Sequence, residues 1–108
     1  MIENNLSEED IIEIYDNNWY DISSHQYLTE HFMRCYEEEL LWKNISEKQN
    51  LSENFILDFK SSVDWIRISK YQKLSFKFIK NNIEKLNVCG LLENKNISEE
   101  IKQYIRIL

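Results

Sequence analysis

The chain has 108 residues, 43% of them hydrophobic and 30% charged, the size and balance of one soluble globular domain. It has no proline, no alanine and one glycine, which argues against a β-sandwich, a glycine-rich phosphate loop and a flexible linker. The net charge of −6 is unevenly spread: residues 1–54 hold 13 acidic and 3 basic side chains, and residues 55–108 hold 6 acidic and 10 basic ones. The halves therefore carry −10 and +4, a dipole that can steer a partner or a second copy of the chain.

Fifteen Ile, twelve Asn and ten Lys point to AT-rich codons, and so to a virus, a phage or a low-GC bacterium. No apolar run reaches the roughly 18 residues that a membrane helix needs. The acidic start MIENNLSEED does not read as a signal peptide. Cys35 and Cys89 make no disulfide framework, so reduced thiols and a cytoplasmic location are expected.

In chain order, a half unit over residues 6–18 precedes three gapless blocks of 23 residues, 19–41, 42–64 and 65–87, and a degenerate copy over 88–108. The half unit matches through Leu6, Ser7 and Ile11 and runs one residue short before Trp19. The three blocks share Trp19, Trp42 and Trp65; Ile22, Ile45 and Ile68; Ser23, Ser46 and Ser69; Gln26, Gln49 and Gln72; Leu28, Leu51 and Leu74; and Phe32, Phe55 and Phe78. A hydroxyl follows each leucine, as Thr29, Ser52 and Ser75. In the degenerate copy Val88 takes the tryptophan column and Ile97 the leucine column.

Each unit reads as two short helices. The first starts near tryptophan, with Asn18 and Asp64 as caps in two units, and the tight unit favours some 3₁₀ character. The second starts at the hydroxyl, which can accept an orphan backbone N–H, while Leu51 packs on Ile56 as a staple. Helices of about two turns cannot stand alone and need stacked neighbours. The expected fold is all-α, a small α-solenoid of about nine helices in a single repeat domain over residues 1–108.

The block WKNISEKQNLSENFI, residues 42–56, resembles the short Trp-x-x-Ile-Ser-x-x-Gln-x-Leu-Ser-Glu-x-Phe-Ile tandem-repeat proteins of giant DNA viruses and phages. The resemblance covers residues 19–87 well and 88–108 weakly. It implies a viral interaction scaffold without a catalytic motif.

The recurring apolar residues read as core, and the glutamines as groups that satisfy the backbone of the turn before leucine. No catalytic residue, cofactor or metal is expected. His31 and Cys35, four apart, could face one zinc ion, but zinc needs at least three protein ligands and the sequence spacing offers no third. His25 reads as a surface residue, and no base or orienter stands out for a cysteine nucleophile.

Two features read as partner surfaces. Glu37, Glu38 and Glu39 form an acidic face that suits a basic groove. Leu57, Ile66, Tyr71 and Phe76 replace polar residues of other copies, as does Ile83, and form an apolar patch beside Lys70, Lys73, Lys77 and Lys80. The apolar columns have two readings, an interaction surface or a seat for the last helix near Ile101, Ile105 and Leu108. The lysines are spaced like a phosphate-binding stripe, but the boundary between two helices cuts the stripe and the net charge opposes nucleic acid.

The function expected from these features is a non-enzymatic protein-binding module. In its narrow form it is a small viral or phage factor that occludes a host defence protein, for example a nucleic-acid-binding CRISPR effector nuclease. The alternatives are a homo-oligomeric scaffold and a phosphate-backbone binder acting through the basic half.

Overall fold

The computed structural model describes residues 7–24 and 28–108. The described residues are all-helical, with nine α-helices and no strand. They are α1 (Glu8–Ile14), α2 (Trp19–Ser24), α3 (Glu30–Cys35), α4 (Trp42–Lys48), α5 (Glu53–Asp58), α6 (Trp65–Tyr71), α7 (Phe76–Asn81), α8 (Val88–Glu93) and α9 (Glu99–Arg106). The starts at 19, 42, 65 and 88, and at 30, 53, 76 and 99, repeat the 23-residue spacing of the sequence. No helix is long and apolar enough to cross a membrane.

Local chemistry sets these starts. The hydroxyls of Thr29, Ser52, Ser75 and Ser98 accept the backbone N–H three residues on, each an orphan donor of a helix start. Ser7 and Asp10 form a reciprocal capping box on α1. Asn18 and Asp64 cap α2 and α6 as their side chains allow, and Asn87 does the same for α8. Leu41 stands at the same place before α4 and offers no side-chain cap. Leu51 and Ile56 are both buried, as a staple requires. Leu6, Gln26 and His25 lie outside the described residues.

Two expectations change. The first helices are α rather than partly 3₁₀: Ile45, Ile68 and Leu91 each donate to the carbonyl four residues back. The tryptophans are half-buried and lie against the core rather than inside it. Trp42 and Trp65 keep their indole N–H groups on the carbonyls of Glu37 and Lys60, at 3.1 and 2.9 Å. A large ring with one polar edge is satisfied by this half-in position. Phe32 and Phe55 are fully buried beneath them, and the core runs from Ile11 to Ile105.

The turn after α1 is one residue shorter than its counterparts. Asp16 and Asn17 make up the difference with φ of 52° and 58°. Asp and Asn enter this left-handed region more readily than other non-glycine residues.

Helix α2 packs on α4, α4 on α6, α6 on α8, and α8 on α9. The molecule measures 49 × 28 × 19 Å. Gly90 sits where α8 approaches α6: a Cβ there would lie 3.1 Å from Ser69 Cβ and 3.3 Å from the Ile66 carbonyl. The one glycine of the chain thus serves close packing rather than a turn.

Candidate functional site

Three polar columns join each unit to the next. The serine column is buried: Ser23, Ser46 and Ser69 accept the N–H of Leu41, Asp64 and Asn87 at 2.9, 2.9 and 2.8 Å. Each acceptor therefore serves the residue that opens the next unit's first helix. The glutamine column reaches the other way. Gln49 accepts the Leu28 N–H at 3.1 Å and donates to the Ser23 carbonyl at 3.3 Å. Gln72 accepts the Leu51 N–H at 3.1 Å and donates to the Ser46 and Gln49 carbonyls at 2.8 and 2.7 Å.

These buried amides satisfy the turn before leucine, the role read from their spacing. In the last unit Lys95 holds the glutamine column, and Asn94 does the work instead. It donates to the Ser69 and Gln72 carbonyls, both at 2.8 Å.

The third column is a glutamate. Glu30 accepts from the backbone and hydroxyl of Ser52 at 2.8 and 3.1 Å, and Glu53 from those of Ser75 at 2.7 and 3.1 Å. Phe76 occupies this column in the third unit and packs edge-on against Tyr104 of α9, with ring centroids 4.9 Å apart. The sequence displays all three columns, but only the glutamines disclose a role there. A serine or glutamate 18 or 22 residues from its partner has no local signature.

The residues read as an apolar patch separate into different settings. Ile66 and Tyr71 on α6 are 60% and 40% exposed and line one open hollow with Glu47, Arg67 and Lys70. Tyr71 also borders a second hollow with Lys70, Glu93, Lys95 and Asn96. Ion pairs frame this strip, Arg67 with Glu47 at 3.4 Å and Lys70 with Glu93 at 3.5 Å. Phe76 belongs instead with the last helix, in a hollow shared with Glu100, Ile101 and Tyr104. Ile83 packs against the core, so its change from a polar residue reflects burial, not a surface. Leu57 stands exposed on α5.

The four lysines fall on two helices and the loop between them: Lys70 on α6, Lys73 in the loop, and Lys77 and Lys80 on α7. Lys70 already holds Glu93, and Lys80 lies over the Phe76 ring, 5.1 Å from its centroid. Glu37, Glu38 and Glu39 are exposed in the turn after α3, and their carboxylates make no ion pair among the described residues. Tyr36 beside them is held above the usual phenol value, by burial first and then by the charges of Glu8, Glu9, Cys35 and Glu39. His31 and Cys35 share a helix as their spacing predicts, and the structure corrects the reading that no third donor is available: Glu8 of α1 lies beside them.

No family model, curated protein or solved structure matches the chain.

Proposed function

We propose that the chain is a non-enzymatic protein-binding module whose helix pairs stack as an α-solenoid. The stacking reading is supported by the repeated serine and glutamine bonds and by first helices that pack only in chain order among the principal contacts. The observation that carries the binding reading is the α6 strip. Ile66 and Tyr71 are large apolar side chains left exposed side by side within a frame of ion pairs. An apolar centre with a charged rim is the usual anatomy of a protein interface. In the narrow form of the proposal the module is a viral or phage factor that occludes a basic groove of a host defence protein, with Glu37, Glu38 and Glu39 steering the approach.

The test compares capture from nuclease-treated host lysate by the wild-type chain, by Ile66→Glu and by a variant with Glu37, Glu38 and Glu39 changed to Lys. Both variants alter exposed side chains, so their thermal melts should match the wild type. One stoichiometric protein lost with Ile66→Glu supports the binding face. Equal capture by Ile66→Glu rejects it. Weaker binding with a flatter salt dependence in the Lys variant supports steering, and unchanged affinity rejects it. Recovery of the bait alone, in multiples of its own mass, would favour a homo-oligomeric scaffold instead.

A further inference from the structure

Glu8 departs from the column to which it belongs. It is the first residue of α1, as Glu30 is of α3 and Glu53 of α5. Glu30 and Glu53 grip the capping serine of the following unit. Glu8 would reach Thr29 in the same way, but its carboxylate turns to His31, with Oε2 3.3 Å from Nε2. The same Nε2 lies 3.6 Å from the Sγ of Cys35, one turn along α3. All three donor atoms lie within 4.8 Å of one another. The other units do not repeat this set, because Asn54 and Lys77 stand in the His31 column, and Asp58 and Asn81 in the Cys35 column.

These separations suit a bound ion. Zinc bond lengths at tetrahedral angles put nitrogen and oxygen donors about 3.4 Å apart, and nitrogen and sulfur donors about 3.6 Å apart. A thiolate, an imidazole and a carboxylate together select a borderline-soft divalent ion over calcium or magnesium. The surrounding charge also favours a cation. The carboxylates of Glu9 and Glu39 act on Tyr36 together with Glu8 and Cys35. The nearest cation on the same helix, Arg34, is drawn to Asp58 of α5 at 2.9 Å.

We propose that Glu8, His31 and Cys35 bind one zinc-type divalent ion that clamps α1 to α3. The imidazole gives a nitrogen lone pair, the carboxylate an oxygen, and the thiol a sulfur after releasing its proton to solvent. Water takes the fourth position, because His31 and Cys35 face solvent. Without an ion, an exposed Glu–His contact adds little to the α1–α3 junction.

The test is a Co²⁺ titration of the full chain under reducing conditions, followed by displacement with Zn²⁺. The expected result is a one-to-one thiolate-to-cobalt charge-transfer band with tetrahedral visible bands, both removed by Zn²⁺. Cys35→Ser should abolish the charge-transfer band, and Glu8→Gln should weaken binding at least tenfold. Cys89→Ser and Glu9→Gln should leave both band and affinity unchanged. Zn²⁺ should raise the melting temperature of the wild type but not of Glu8→Gln. No band in the wild type, a band that follows Cys89, or equal affinity in Glu8→Gln would each overturn the proposal.

Discussion

Gln72 is the most consequential polar side chain among the described residues. It is buried and serves three backbone groups at once, the Leu51 N–H and the Ser46 and Gln49 carbonyls. Truncation to alanine strands those groups away from water. Each orphaned buried group costs roughly 1–3 kcal/mol before relaxation, so Gln72→Ala should destabilise the chain by about 2–4 kcal/mol in urea unfolding. The exposed Gln103 to Ala change should cost under about 0.5 kcal/mol and serves as the control. The amide role was legible from a polar residue recurring beside an apolar turn. The serine role was not, because its partner lies 18 residues away and the same residue type also suits a solvated surface.

Single elements show where local chemistry is complete and where it is not. Three of the four first helices of units carry an Asn or Asp cap, while α4 begins at Leu41 without one. Leu41→Asn should therefore stabilise the fold by about 0.5–1 kcal/mol in chemical denaturation. The side chain it removes is 40% exposed, so little apolar burial is lost.

Helix α9 is tied internally by Arg106, which donates to Glu99 at 2.8 Å. That hydrogen bond, and then the guanidinium charge, hold the Glu99 carboxyl below the usual carboxylate range. A depressed carboxyl contributes stability above its unfolded-state value and loses it as pH falls through the lower folded value. Arg106→Gln should move the Glu99 titration upward toward the ordinary range, as followed by NMR. An unmoved titration would show that Arg106 is not the cause. The helix pairs themselves were legible because caps and staples act within a few residues. The α-helical form of the first helices was not, because it depends on bonds that only neighbouring units supply.

For the whole molecule, position in the stack should set local stability. Helix α6 packs between α4 and α8, whereas α2 has a principal contact with α4 alone. Hydrogen exchange should be slowest at Ile68 and Leu51 and fastest in α1. Uniform rates along the chain would instead indicate one cooperative unit. The 23-residue spacing made the order of helices legible in the sequence, but long-range seats were not: Phe76 reads as a surface change until Tyr104 is placed against it. The glutamine bonds also have a direction. Each turn before leucine is closed by an amide that lies 21 residues later in the chain, as Gln49 closes Leu28 and Gln72 closes Leu51. During synthesis a unit therefore leaves the ribosome with its last turn open, and the following unit closes it. A nascent chain halted at residue 64 would carry the Leu51 amide exposed, and one extended through Gln72 would not, so the chain matures one unit behind its own translation.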